Sequence, residues 1–299
     1  MNSTILVQSI VSGLLIGFVY SLIAAGLSLI FGIVEIVNFA HGEFLMLAMF
    51  ASFWMHDSFH LDPLVSLPIT AALLALVGFV VHKALIRHVL GGPMLAQIFA
   101  TFGLGLFLRS GAQYLWSADV RSIRDPLLSR LFSGRVVIGN VAIGVPQVAA
   151  ALLACLAFGA LHLVITHTKM GLALQAVAED KATATLMGIN SEAVFALAWA
   201  IGAACVGIAG AALASFYYVY PEVGVTFALI AYVVVALGGF GSIHGAFFAG
   251  IIVGLVEIVS PVFLRAVNVP SAEAYKYAIV FGVYLLVVLV RPQGLFGRY

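Results

Sequence analysis

The segment Glu35-Ile-Val-Asn38-Phe-Ala-His41-Gly42-Glu43 places two carboxylates, an amide and an imidazole between two long apolar runs. A charge at the centre of a hydrocarbon layer costs at least about 2.5 to 3.5 kcal/mol, so a cluster of this kind calls for a purpose. On a continuous helix Glu35, Asn38 and His41/Gly42 share one face, and Glu43 points nearly opposite to His41. Two readings follow. In one, the stripe lines a solvated path, with a kink at Gly42 bringing Glu43 round to a partner helix. In the other, these are buried, hydrogen-bonded groups at a helix junction. A second cluster, Gly238-Gly239-Phe240-Gly241-Ser242-Ile243-His244-Gly245, is glycine-rich enough to break a helix midway. Irregular backbone at membrane depth is tolerated only where protein or a water-filled cavity surrounds it. Glu35, Asn38, His41, Gly42, Glu43, Gly239, Gly241, Ser242 and His244 are therefore the candidate translocation-path residues. Arg109 and Glu257 lie within about two turns of expected helix ends, where side chains snorkel to the interface, and they are also placed to pair with each other.

Covalent chemistry is not indicated. His41-Gly-Glu43 lacks the second histidine of the zinc-protease pattern, and Ser242-Ile-His244 has no third member of a triad. None of the four lysines follows a glycine, so there is no Walker A loop. Any ATP is bound by another chain, and no cofactor or metal is expected.

The elements that position these residues follow from composition. Hydrophobic residues make up 64% of the 299 and charged residues only 8%, against roughly half and a quarter in soluble domains. Stretches of about 20 apolar residues, the length that crosses a bilayer, recur near 5–31, 36–55, 64–82, 94–117, 144–166, 193–217, 225–240, 244–263 and 276–290. The expectation is an all-α polytopic membrane protein, a single transmembrane domain over 1–299. It has eight to nine transmembrane helices, with a broken or re-entrant helix near 238–245. The first span lacks a basic n-region and is expected to be retained. Cys155 and Cys205 sit in apolar runs as small core residues. Charge is nearly balanced, with 13 Lys+Arg against 12 Asp+Glu, so nucleic-acid binding is set aside.

Two connections are long. Residues 118–141, with Arg121, Arg124, Arg130, Arg135 and Gly139-Asn140, suit a hairpin or surface loop. Residues 167–190 suit a short helix from Leu172 to Met187, ended by Gly188 and Asn190. The basic residues divide equally between the two sides, so the positive-inside rule does not orient the chain. Gly13, Gly17, Ser21 and Ala25 form one small-residue stripe, and Ala246, Gly250 and Gly254 another. Such stripes let helix backbones approach closely. A Leu-Ile-Ala, Phe-Gly, His-Gly-x-Phe series occurs near both ends, at Leu22 to Phe44 and at Leu229 to Phe247.

Five ordered blocks resemble the permease subunits of bacterial branched-chain amino-acid ABC importers, of the LivH type. They are Gly17 to Gly32, Asn38 to Glu43, Gly171 through Ala178-Glu179-Asp180 to Gly188-Ile-Asn190, Gly238 to Gly245, and Arg291-Pro-Gln-Gly-Leu-Phe-Gly297. The resemblance implies a multi-pass protein of the bacterial inner membrane, a single permease domain over 1–299 with 118–141 extracytoplasmic and 171–190 a cytoplasmic coupling segment. Through that segment, with Gly171, Ala178, Glu179, Asp180, Lys181, Gly188 and Asn190, the chain would dock an ATP-binding subunit. It also implies a homologous second permease, two ATP-binding cassette subunits and a periplasmic substrate-binding protein. The implied cargo is a branched-chain or other apolar amino acid. Close relatives of the family carry urea and amides, and a stand-alone channel or secondary transporter, using Glu35, Glu43 or Glu257 as an ion site, is the rival from another class.

Overall fold

The computed structural model describes residues 3–123, 134–139 and 141–297, so Arg124, Arg130, Asn140 and Arg298 lie outside the described residues. The regular elements of the described chain are helices apart from one hairpin and an isolated bridge between Arg121 and Val219. We label the helices α1 (Ser3–Val34), α2 (His41–Phe59), α3 (Pro63–Val89, with a π turn at His82–Ile86), α4 (Met94–Trp116), α5 (Val145–His167), α6 (Lys169–Glu179), α7 (Lys181–Leu186), α8 (Ser191–Ala214), α9 (Val223–Gly238), α10 (Ile243–Ala266) and α11 (Ala272–Val290, opening on a 3-10 turn at Ala272–Tyr275). Seven helices among the described residues are long and apolar enough to cross a bilayer, and α9, with 16 residues, is a shorter apolar helix. With α2 these account for the nine apolar stretches of the sequence.

Helix starts are set by local chemistry. Asp62 caps α3 by accepting from the Leu64 amide at 2.9 Å, with Pro63 in the first turn. Asn190 and Ser242 cap α8 and α10 through the amides of Ala193 and Gly245. Each cap satisfies an amide the helix leaves unpaired. Asn190 thus opens α8 rather than closing the helix before it.

The most enclosed spans are α1 and α8, 72% and 67% buried, while α4 and α11 are 11% and 6% buried. The first pair forms the centre of the bundle and the second its periphery. The two small-residue stripes face each other across α1 and α10. A Cβ at Gly17 would lie 2.8 Å from the Ile251 Cα, and one at Gly254 would meet the backbone of Gly13 and Gly17. The Ser21 hydroxyl donates across the same seam to the Phe247 carbonyl at 2.7 Å. The helices meet backbone to backbone, the geometry that gives dispersion its largest effect in lipid.

One end of the bundle carries residues 167–190, the break after α1, the turn Gly239–Ser242 and the C-terminal segment, whose Leu295 and Phe296 amides donate to the carbonyls of Leu237 and Gly238. At the opposite end, β1 (Arg135–Ile138) and β2 (Val141–Gly144) form an antiparallel hairpin. Nearby, Arg121 pairs with Val219 backbone to backbone and sets its guanidinium 4.9 Å from the Trp54 ring centre.

Candidate translocation path

Glu35 to Glu43 is not a continuous helix, and the shared polar face drawn for Glu35, Asn38 and His41 does not form. α1 ends at Val34, Glu35 takes the left-handed conformation at φ 58°, and α2 starts only at His41. A left-handed residue after a helix is ordinarily glycine. Glutamate there carries a penalty of about 1–2 kcal/mol. The unwound backbone starts at the end of the bundle that carries residues 167–190, at exposed Glu35, and runs back into its interior. His41 Nε2 is 2.9 Å from the Ile23 carbonyl, and Ile23 sits eleven residues before the end of α1, about 16 Å along its axis. Exposed backbone groups at that depth need partners, and side chains supply them. Asn38 Oδ1 accepts from the Ala40 amide at 3.1 Å, and Tyr232 donates to the Asn38 carbonyl at 2.9 Å. Thr101 Oγ1, whose one proton is shared with the carbonyls of Gln97 and Ile98 in its own helix, lies 3.3 Å from the Val37 carbonyl.

Glu43, in the first turn of α2, is buried and forms an ion pair with Arg109 of α4, whose Nε donates to Oε1 at 3.1 Å. One turn beyond Arg109, Gln113 donates to Glu222 at 2.6 Å. Thr101, Gly105, Arg109 and Gln113 thus form an i, i+4 stripe by which the otherwise exposed α4 is held to the broken segment and to the start of α9. Gly42 has no room for a side chain, since a Cβ there would run into the Gly224 carbonyl of α9. The sequence signal for Thr101, Gly105 and Gln113 was their four-residue spacing around Arg109. Glu257 is buried rather than snorkelled to the interface, and the alternative pairing of Arg109 with Glu257 does not occur. Glu257 accepts from Tyr20 at 2.7 Å and pairs with Lys276 at 3.2 Å, so each charge is neutralised on its own side of the bundle.

Asn38, His41, Gly42 and Glu43 are buried, whereas Glu35 is exposed on the boundary between two cavities. The larger, of about 600 Å³, has Glu35, His162, Gln175, Glu179, Ser242 and His244 as polar wall and Phe31, Phe240 and Phe296 as apolar wall. The second, of about 400 Å³, lies toward Leu90, Lys181 and Phe195. Across the larger cavity the His162 and His244 rings stand edge to face at 5.0 Å, and Phe31 meets Phe240 at 4.7 Å. Gly239 and Gly241 take left-handed conformations, φ 102° and 78°, and Gly241 packs on Gly32. The two Phe-Gly pairs of the internal series therefore touch.

The expected helix Leu172 to Met187 is two helices, α6 and α7, because Asp180 leaves the helical conformation and caps α7. Its carboxylate accepts from the amides of Ala182 at 2.8 Å and Thr183 at 3.1 Å and from the Thr183 hydroxyl at 2.5 Å. The Thr183 hydroxyl, followed by these amides, holds the Asp180 carboxyl below the usual carboxylate range. Gly188 ends the pair at φ 85°. α6 is fastened to α5: Thr168 caps it, Gln175 donates to the Ile165 carbonyl at 2.6 Å, and Gly171 presses on the carbonyls of Val164 and Ile165. Ala178, Glu179, Asp180 and Lys181 are exposed, as are the apolar Leu186 and Met187 at 87% and 79%.

Residues 9–289 match the family model for the permease component of the branched-chain amino acid transport system. The chain is 33% identical to the high-affinity branched-chain amino acid transport system permease protein LivH of Escherichia coli, over 97% of this chain and 95% of the relative. It is 31% identical to BraD, the corresponding permease protein of Pseudomonas aeruginosa, with the same coverage. A probable branched-chain amino acid transport permease protein of Methanocaldococcus jannaschii is 26% identical over 92% of this chain and 88% of its own length. Among solved structures, PsaBC from Streptococcus pneumoniae in complex with Fab superposes with a TM-score of 0.51 over 94% of this chain and 91% of that one, at 12% identity, a likeness of fold alone. With the family matched from α1 to the end of α11, and helices built to cross a bilayer, the chain belongs to the branched-chain amino acid transport permease family and is a multi-pass inner-membrane permease subunit.

Proposed function

We propose that this chain forms half of the translocation path of an ATP-driven importer for branched-chain or similar apolar amino acids. In this reading it has no ATP site of its own. It works with a homologous second permease, two ATP-binding cassette subunits docked on α6 and α7 at the cytoplasmic face, and a periplasmic binding protein that delivers the cargo. The observation that carries this reading is the larger cavity, which shares its wall with the segment meant to receive the ATPase. Gln175, Ala178 and Glu179 belong to α6 and also line the space between Glu35 and His244. A displacement of α6 reaches α5 through the Gln175 to Ile165 bond and the Gly171 contact, and from there His162 at the cavity mouth. Such an arrangement converts a push on an exposed knob into opening of a path by a rigid-body shift. The phenyl rings and few charges suit a weakly held aliphatic or aromatic side chain. Both buried carboxylates among the described residues, Glu43 and Glu257, are paired with cations, which speaks against their serving as free ion sites of a gradient-driven carrier.

The test is uptake by proteoliposomes holding the chain with its candidate partners, against a panel of leucine, isoleucine, valine, phenylalanine, urea and acetamide. ATP-dependent leucine-class uptake that persists after ionophores collapse ion gradients is expected. Uptake by the chain alone would refute the reading, and selective uptake of urea or amides would reassign the cargo.

A further inference from the structure

α3 carries an exposed stripe that changes character along its length. Ile69, Leu73, Leu76 and Val80 are exposed apolar residues spaced three to four apart, 51%, 42%, 59% and 51% accessible, and the same face continues into exposed Lys83 and Arg87. The Lys83 ammonium lies 5.2 Å from the Phe79 ring centre. The change falls at the π turn His82–Ile86, a distortion found often at functional sites. Beside it is a cavity of about 470 Å³ lined by Arg87, His88, Leu90, Lys181, Glu192 and Phe195. Glu192 is the one acid in that lining, and it holds Arg87 only loosely, at 3.8 Å with both side chains about half exposed. Lys181 belongs to α7 and rests over the Phe195 ring at 5.0 Å. It separates this basic cavity from the neighbouring one, whose acids are Glu35, Glu179 and Asp180.

We infer that this cavity binds the headgroup of an anionic phospholipid of the cytoplasmic leaflet, with the acyl chains lying along the apolar stripe of α3. A soluble anion would need only the basic residues. The continuous apolar approach from the hydrocarbon side is what selects a lipid, and basic pockets at the cytoplasmic ends of spanning helices suit anionic headgroups. Because Lys181 opens α7, the bound phosphate ties α3 to the coupling segment and sets how firmly that segment is held. The leaflet rests on the cytoplasmic placement of residues 167–190 proposed above.

The test compares the full-length chain with its K83Q/R87Q/K181Q variant, each purified in mild detergent and returned to nanodiscs of phosphatidylcholine with or without phosphatidylglycerol. Retained lipid is counted by native mass spectrometry and the unfolding midpoint is recorded. Each basic residue near the surface contributes about fivefold to anionic-lipid binding. Wild type should therefore retain phosphatidylglycerol over phosphatidylcholine and unfold at a higher temperature in its presence, and the variant should lose on the order of 100-fold in that preference. Equal retention by variant and wild type, or no lipid preference in wild type, would overturn the assignment. A thermal shift of the same size with inorganic phosphate in phosphatidylcholine discs would overturn it in favour of a soluble anion. If the triple variant does not fold, Glu192→Gln decides: retention should rise by about fivefold, and unchanged retention overturns the site. Thiol labelling of a Met187→Cys variant from either side of the membrane reports on the leaflet separately, so failure of the orientation is distinguishable from failure of lipid binding.

Discussion

Arg109→Met is the substitution with the sharpest expected signature. It removes the guanidinium from a Glu43 side chain that is 3% exposed, and a carboxylate stranded in a protein interior costs about 3–5 kcal/mol. Glu43→Gln strands the other partner, but Arg109 is 28% exposed at a peripheral helix, and its long stem can carry the charge toward water. That loss should be nearer about 1.5 kcal/mol, the value of a charged hydrogen bond. The double variant, Arg109→Met with Glu43→Gln, leaves no stranded charge and should be more stable than Arg109→Met alone. The resulting coupling energy should be about 1.5–3 kcal/mol. Denaturant or thermal unfolding of the detergent-solubilised chain provides the four corners of the cycle. Arg109→Lys keeps the charge but not the forked donor set, and should fall between wild type and Arg109→Met. Equal and additive losses from the two single variants would refute the reasoning, because they would mean that the pair is solvated and that α4 does not depend on it.

Three further outcomes are expected. Gly17→Leu drives a side chain into the Ile251 backbone and should lower stability by at least about 1–3 kcal/mol, whereas Gly282→Leu, where a Cβ meets nothing within 4 Å, should stay within about 0.5 kcal/mol of wild type; similar unfolding midpoints for the two would remove the close-packing account of α1 and α10. Because the Asp180 carboxyl is held below its usual range by the Thr183 hydroxyl, its support of α7 is present above the ordinary carboxylate pKa of about 3.9. That support is lost as pH falls through the lower folded value. Amides of Lys181 to Leu186, corrected for intrinsic exchange, should therefore keep their protection from pH 7 to about 5 and lose it below about 4, while Asp180→Ala should expose them throughout; full protection of the variant would contradict the cap. Finally, with Cys155 and Cys205 replaced, a His162→Cys/His244→Cys pair bridged by a short bifunctional thiol reagent should stop transport while the ATPase subunits remain bound. Transport that continues after complete bridging would exclude this pair from the moving mouth of the path.

The spans were legible because hydropathy is local and additive. A run such as Val145 to His167 declares itself without reference to any neighbour, and the stripes at Gly13/Gly17 and Gly250/Gly254 needed only helical spacing. The break at residues 35–40 was not legible in the same way. Its polar residues Glu35 and Asn38 are compatible with a continuous helix, and Glu35 holds a left-handed position without the glycine that would have marked it. The split of α6 from α7 was hidden by an alanine-rich stretch that favours helix throughout. Only Asp180 with Thr183 three residues on, a capping pair, marked the boundary. What the break required was visible elsewhere in the chain. Backbone unwound inside a bundle must borrow donors from other helices, as Tyr232 and Thr101 lie against the Asn38 and Val37 carbonyls, and the buried Glu43 carboxylate beside it takes Arg109. A polar cluster in one span and an i, i+4 polar stripe in another are thus two halves of one feature. Glu43 and Arg109 meet because each intramembrane charge needs an opposite one, and nothing local to Arg109 distinguishes Glu43 from Glu257 as that partner, since the choice is set by which helices pack together.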